Sequence, residues 1–384
     1  MRHAGKIKVA LMSYAMDGRV AKGSIISTHR LIERLVRDPN LDVTLVHFDT
    51  SDDPIYKEAR EIIMPALPPV LNRRLFRMLY FFWKYRKENF DIIQWFQPRL
   101  YPFFWLAPAR HIILTAHGAG DITAPGAFPL SRRMFNFVLT HFNHRISAII
   151  AVSEFGREEI IQYYKASPER VIGMLHYNGG AEEYAPMERS VSQKIVVEKY
   201  NITAPYILDV SRLDPQKNVD TLIRAYISLR DRNPERRERL VIVGSPSYRY
   251  EETYALAENS QYKNDIQFVR YVAQEEMNAL YSGAELVAFP SLNESFGMPV
   301  IEAMASGTPT ITSNVTSLPE VAGGAAILVD PIDAEALAGA MQQVLSDTRL
   351  QQTLVAKGLE RARPFTWDRG AEEVKALYRR VARE

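Results

Sequence analysis

The stretch FPSLNESFGMPVIEAMASGTPTIT, residues 289–312, carries two carboxylates, Glu294 and Glu302, with seven residues between them. Between the two lie a Ser295-Phe296-Gly297 turn and Pro299, a residue suited to the first turn of a helix. Ahead of them ELVAFPS, residues 285–291, is an apolar run that reads as a buried strand. The pattern predicts Glu294 on the loop after a strand end and Glu302 about one turn into the next helix. In open α/β sheets the crevice outside the carboxyl ends of the strands is where ligands bind. The backbone N–H groups of Phe296, Gly297 and Met298 would head the helix, a natural anion site. The segment therefore offers one carboxylate for sugar hydroxyls, a second for a ribose, and free amides for phosphate. Two glutamates at this spacing, taken alone, also fit a plain strand–turn–helix with solvated carboxylates.

Outward from that segment, short apolar runs alternate with amphipathic helical stretches, which predicts parallel sheets covered by helices. In the first half the expected strands are 7–14, 42–48, 91–96, 111–117, 147–152 and 171–176. In the second half they are 206–211, 240–244, 266–272, 285–290, 308–312 and 326–329. Two such series imply two doubly wound domains. The pattern breaks near residues 178–190, where Gly179, Gly180 and Pro186 stand among charged residues, so the domains are expected at 1–185 and 186–365. A last helix, 366–384, is expected after Pro364-Phe365, with Thr366 as its N-cap and Trp367 inside.

At 384 residues the chain is too long for one ordinary core. Its 47% apolar and 24% charged content are those of a soluble globular protein. A net charge of +2 and a pI near 8.5 make no case for nucleic acid, which would need a clustered basic face. The absence of cysteine excludes disulfides and thiolate metal sites and suits a reducing compartment. The apolar run 7–14 is short, lacks a small-residue cleavage site and leads into a glycine-containing loop, so it does not read as a signal peptide. No window holds the roughly 18 apolar residues of a membrane span. The expectation is a cytoplasmic protein, soluble or peripheral on the inner face of a membrane.

Residues 289–312 closely resemble the signature of the retaining glycosyltransferases of family 4 (glycosyl transferases group 1). The resemblance implies the α/β GT-B fold: two facing Rossmann-like doubly wound domains with a cleft between them, the last helix returning to the first. It gives Glu294 to the donor sugar and Glu302 to the nucleotide ribose. Ser295 stands where many members have glycine, and serine is also tolerated there. Phe365-Thr366-Trp367 resembles the usual lead into the last helix.

YILDVSRLDPQKNVDTLIRAY, residues 206–226, supplies a strand, a loop and a helix starting near Asn218, with Arg212 and Lys217 five apart on the loop. A departing nucleoside diphosphate gathers negative charge, which fixed cations and a helix terminus stabilise. Arg grips phosphate in a fork and Lys supplies a compact charge. The family uses an Arg and a Lys at these positions for the pyrophosphate; alone, such a pair on a loop is ordinarily solvated. The first loop, 15–23, has glycines only at 18 and 23, which is not the dinucleotide fingerprint. Their spacing is that of a Walker A loop, but Ser24 stands in place of its lysine. The family has a glycine-rich loop there against donor and acceptor, so Gly23 alone is carried over. His117, ending the strand of ILTAHGAGD, reads as structural by itself; the resemblance places it near the donor sugar and the attacking hydroxyl. Ser153 and Glu154 fit an N-cap and first helical turn as well as they fit a family serine. Asn178-Gly179 resembles the family's Asn-Gly near the interdomain link, a structural feature. Val272, within 270–273, falls where the family meets the nucleotide base through its backbone, although Arg270 stands where many members have glycine.

No Asp-x-Asp and no His-x-x-x-His pair occurs. A metal-independent reaction without cofactor is the expectation, Arg212, Lys217 and helix termini acting where the other large glycosyltransferase fold holds a cation. From Arg73 to Lys87 basic residues interleave with Phe76, Tyr80, Phe81, Phe82, Trp83 and Tyr85. That segment is either an interfacial helix for an anionic membrane and a lipid-linked acceptor, or a helix whose apolar side is core.

The whole reads as a retaining transferase moving a hexosyl unit, such as mannosyl or glucosyl, from a nucleotide diphosphate sugar to a glycan or lipid-linked hydroxyl in surface polysaccharide or glycolipid synthesis. The resemblance implies that the acceptor attacks the face the leaving group departs from, a phosphate oxygen taking the proton. A GT-B nucleotide-sugar epimerase and a non-catalytic sugar-nucleotide-binding subunit are the alternatives.

Overall fold

The computed structural model describes residues 5–16, 23–68, 73–119, 130–203 and 205–384. The chain forms two compact units, Met1–Gly179 with Trp367–Glu384, and Gly180–Thr366. The division precedes the expected boundary at 185/186. Residues 180–185 pack with the second unit: Ala181 donates its N–H to the Phe365 carbonyl at 3.0 Å, and the Tyr184 ring meets Tyr281 edge-on at 5.7 Å.

In the first unit the strands are β1 (Ile7–Met12), β2 (Leu41–His47), β3 (Arg60–Ile63), β4 (Phe90–Trp95), β5 (Ala109–Ala116), β6 (Ala148–Ala151) and β7 (Val171–Gly173). They form one sheet in the order β3-β2-β1-β4-β5-β6-β7, and each pairing is parallel. The second unit holds β8 (Tyr206–Val210), β9 (Arg239–Val243), β10 (Ile266–Val269), β11 (Leu286–Phe289), β12 (Thr310–Ser313) and β13 (Ile327–Val329). These pair in parallel in the order β10-β9-β8-β11-β12-β13. Strands covered on both faces read as unbroken apolar runs rather than alternating ones. Leu286–Phe289, LVAF, is buried at every position, which is why so short a segment was visible in the sequence.

The expectation lacked one strand, β3. Its sequence is REII, and only Ile62 enters the core while Arg60 and Glu61 stay exposed. A short, charged edge strand resists further pairing, and it carries almost no apolar signal. The strand expected at 266–272 ends at Val269, because Arg270 and Tyr271 are exposed beyond it.

The helix Trp367–Val381 clusters with the first unit. Its approach requires Gly370, where a Cβ would lie 2.6 Å from the His176 carbonyl oxygen. Glu373 bonds His176 at 2.8 Å, Tyr378 donates to Gln94, and Arg34 holds Asp368 at 2.5 Å.

In both sheets the strand order reverses direction beside the first strand. In the second unit β8 and β11 are neighbours, with Ile207 paired to Leu286 and Leu208 to Val287. The chain leaves β8 for β9 on one side and β11 for β12 on the other. The loops after β8 and β11 therefore part at the carboxyl edge and leave a crevice there.

Candidate functional site

The loop after β8 is organised by Asp214. Its carboxylate caps the short turn Pro215–Lys217 by accepting from Gln216 N–H at 3.1 Å, and it holds Arg212 through Nε at 2.9 Å and Nη2 at 2.8 Å. Asn218, with φ +58°, then turns the chain into the helix Val219–Arg232; asparagine tolerates this left-handed conformation better than most residues. Its side-chain amide donates to the Pro290 carbonyl at 3.0 Å and the Pro331 carbonyl at 2.6 Å. Leu292 N–H and the Ser291 hydroxyl both donate to the Gln216 carbonyl, at 2.8 and 2.9 Å. The loops after β8 and β11 are thus fastened to each other.

Across this seam Lys217 Nζ and the Glu294 carboxylate form an ion pair, with only 21% and 13% of the two side chains exposed. The ammonium also lies 5.8 Å from the centroid of the Phe289 ring. Glu294 is held from behind by the chain after β12: its N–H donates to the Thr316 hydroxyl at 3.3 Å, and the Ser317 hydroxyl lies 2.9 Å from the carbonyls of Glu294 and Phe296. Gly297 follows with φ +105°, and a Cβ there would come within 2.6 Å of the Leu318 side chain. Conformation and space both demand glycine at that point. Met298 then opens the helix Met298–Ala305, with Pro299 in its first turn. The Phe296 ring is buried and meets Phe365 at 5.9 Å, so the side chain belongs to the core and only its backbone faces the loop.

Glu302 lies one turn into that helix and accepts from the Tyr281 hydroxyl at 2.7 Å, with the Tyr184 hydroxyl as a second hydrogen-bonding neighbour. Burial pushes the Glu302 carboxyl above the usual range, against those two hydrogen bonds. Val272 sits half-buried in the loop after β10, on the same carboxyl edge.

Two residues expected at a site lie on the first unit. His117 follows β5, half-buried as a residue, its Nε2 enclosed and without a hydrogen-bond partner among the described residues. Burial lowers its pKa to about 4, so the ring is neutral at physiological pH. Gly23 is the first residue of the helix Gly23–Val36, and residues 17–22 of the preceding loop lie outside the described residues. Ser153 is an N-cap, its hydroxyl accepting from Gly156 N–H at 3.0 Å. The helix Arg74–Lys84 buries Met78, Phe81 and Phe82, while Arg77 donates to the backbone carbonyls of Phe48 and, at 2.6 Å, Met64. Part of its apolar side is core, while Phe76 and Trp83 of the same helix stay exposed.

Cations and carboxylates meeting at a strand-order reversal, beside a helix terminus, suit a phosphorylated ligand with hydroxyl groups. Residues 192–361 match the sequence family Glycosyl transferases group 1, and residues 22–172 match Glycosyltransferase Family 4. Among characterised proteins, the chain is 31% identical over 272 residues to the O-antigen chain mannosyltransferase B of Escherichia coli, covering 70% of each. The chain belongs to glycosyltransferase family 4. The D-inositol 3-phosphate glycosyltransferase of Corynebacterium glutamicum is 33% identical over 227 residues, 58% of this chain and 54% of that protein. In fold, this glycosyltransferase matches HepE of Anabaena, solved with UDP and glucose, at a TM-score of 0.76 and 17% identity over 97% of this chain and 99% of that one. The two parallel sheets are the Rossmann-like domains of the GT-B fold.

One buried carboxylate close to the Lys217–Glu294 pair escaped the sequence reading. Asp209, in YILDV, is fully buried near the end of β8; it accepts from the Ser211 hydroxyl at 2.5 Å, and its other oxygen has no partner among the described residues. Burial pushes the carboxyl up to about 7, with Lys217 opposing that rise and Glu294 adding to it. The available signal was an acidic residue inside an otherwise apolar strand, where an ionised side chain is costly.

The raised pKa sets a pH dependence of stability. The folded Asp209 keeps its proton up to about pH 7, whereas an unfolded one loses it near 3.8. Stability from this group is fully present below the unfolded value and is lost as pH rises through the folded one, by roughly 4 kcal/mol at full ionisation. Asp209→Asn removes the effect, so its melting temperature relative to wild type should climb between pH 5 and pH 8. Parallel pH–melting curves for the two proteins would show that Asp209 ionises normally.

Proposed function

We propose that this chain is a retaining hexosyltransferase, moving a mannosyl or glucosyl unit from a nucleoside diphosphate sugar to a hydroxyl of a glycan or lipid-linked acceptor, in cytoplasmic synthesis of surface polysaccharide or glycolipid. The observation that carries this is the meeting of Lys217, Glu294 and the Arg212 loop at the strand-order reversal of the second unit. Glu294 would bind donor-sugar hydroxyls, Glu302 the ribose, and the Val272 backbone the base. Arg212, Lys217 and the amides of Phe296, Gly297 and Met298 would take the diphosphate. His117 and Gly23, on the first unit, are assigned to donor and acceptor through the family resemblance.

The bond from the sugar's anomeric carbon to the diphosphate oxygen breaks while the acceptor oxygen bonds to the same face, and a phosphate oxygen takes the acceptor's proton. Lys217, held by Glu294 in the free protein, supplies fixed positive charge as the leaving group becomes an anion. A neutral His117 can accept or donate a hydrogen bond without adding charge. The mannosyltransferase relative makes mannosyl donors the first to try.

Incubation with UDP-, GDP- and ADP-sugars should release free nucleoside diphosphate only when an acceptor is present. Interconversion of the sugar without acceptor would make the protein an epimerase; tight binding with neither outcome would make it a binding subunit. Transfer should also survive EDTA, since the cations are side chains. Activity abolished by EDTA and restored by magnesium or manganese would contradict the assignment of Arg212 and Lys217 as the counter-charge.

A further inference from the structure

At the end of β8 the second unit encloses two carboxyls around one cation. Asp209 is wholly buried, and Glu294 acts on it from across the seam between the loops after β8 and β11. Lys217 pairs with Glu294 and is also the cation that acts on Asp209. From the helix Gln274–Gly283, the Tyr281 hydroxyl that donates to Glu302 lies within reach of the Asp209 charge as well. Ser211 donates to Asp209 Oδ2 at 2.5 Å, and Oδ1 has no partner among the described residues. Ser211 is itself fixed in place. Its N–H donates to the Val243 carbonyl at 2.9 Å, and Gly244 packs so closely on its own carbonyl that no Cβ fits there. A carboxylate removed from water needs more than one neutral donor to stay charged.

This arrangement leaves one carboxyl short of a counter-charge. Two enclosed carboxyls share one ammonium, and the open position for a proton is Oδ1 of Asp209, since Oδ2 already accepts from Ser211. A nucleoside diphosphate bound at Lys217 brings further negative charge to the same ammonium. Every added anion makes a second ionised carboxyl behind it more costly. We propose that Asp209 is a positioning residue for Lys217, and that it takes up a proton when a nucleoside diphosphate binds. The proton comes from solvent, the O–H bond forms at Oδ1, and the proton returns to solvent when the diphosphate leaves. A neutral Asp209 no longer competes for the lysine, whose charge then serves the diphosphate and Glu294. The proposal rests on the reading of Lys217 as a diphosphate ligand given above. Asp209 need touch neither donor nor acceptor, because its effect passes through Lys217. Burial already brings its carboxyl to about 7 in the free protein, so the uptake falls near neutral pH.

The test is calorimetric titration of the whole chain with UDP and GDP near neutral pH, in phosphate and in Tris, two buffers with different heats of ionisation. Wild type should take up roughly half a proton per diphosphate bound, slightly above the pH at which the free group titrates. Asp209→Asn mimics the protonated group, so the uptake should vanish. Relative to wild type it should bind about equally well at mildly acid pH and at least about threefold tighter at mildly alkaline pH. Ionisation of the diphosphate itself is common to both proteins and cancels in that ratio. Ser211→Ala keeps the carboxyl but removes the donor that favours its charge, so the loss of affinity should move to higher pH. Equal proton uptake in wild type and Asp209→Asn overturns the proposal. So does an affinity ratio that is the same at every pH, which is what a merely structural aspartate would give. Lys217→Ala and Arg212→Ala separate this step from the functional reading. Affinity lost in those variants, with no proton uptake by wild type, sinks the proton step alone. Affinity unchanged in both removes the diphosphate from this site, and the proposal with it.

Discussion

Glu294→Gln should leave the fold intact and lower glycosyl transfer by at least about a hundredfold, the usual scale for loss of a preorganised polar contact. The fold should survive because Glu294 is placed by its backbone, through Thr316 and Ser317, not by its carboxylate. The amide keeps the shape but removes the charge that holds Lys217, with only 13% of the Glu294 side chain exposed to solvent that could compensate. It also weakens acceptance of hydrogen bonds from sugar hydroxyls, since a charged acceptor binds about twice as strongly as a neutral one. Steady-state transfer with the identified donor, beside a melting curve, measures both halves. Near-normal turnover in a folded variant would remove Glu294 from the catalytic set.

Lys217→Ala should do comparable damage by the opposite charge. It leaves the Glu294 carboxylate, and Asp209 behind it, without their cation. Lys217 holds the Asp209 carboxyl down, so its loss should push that group further up and keep it protonated through neutrality. Diphosphate affinity should fall ten- to a hundredfold, about what a charge-assisted hydrogen bond contributes, and turnover should fall further because charge on the leaving group grows as the bond breaks. Arg212→Ala should weaken the diphosphate too, with little cost in stability, because its guanidinium is 54% exposed and its partner Asp214 caps the turn without it. Calorimetric titration with UDP and GDP reads both variants. Unchanged affinity in both would place the diphosphate elsewhere.

Most of the architecture was legible along the chain. A strand buried on both faces reads as an apolar run, and of the thirteen strands among the described residues twelve overlap an expected one; β3, with one buried residue, carried almost no such signal. The helix after Glu294 was equally plain, because a left-handed turn beside Leu318 accepts only glycine and Pro299 suits the turn that follows. These signals are local: a few neighbouring side chains meet one backbone requirement.

What stayed hidden depends on residues distant in sequence. Lys217 and Glu294 are separated by 77 positions, and their ion pair exists because β8 and β11 lie side by side while their connections run to opposite sides. Asp209 went unremarked in the sequence because its role depends on packing, which removes its water and sets Lys217 and Glu294 nearby. The Phe296 side chain lies within the expected segment, yet it is buried against Phe365. The aromatic run from residue 73 read equally as an interfacial helix or as core, and packing divides it: Met78, Phe81 and Phe82 are buried while Phe76 and Trp83 stay exposed. Periodicity and turn chemistry are written residue by residue; which side chains share a site, and which lose their water, is decided by strand pairing and packing across the whole unit.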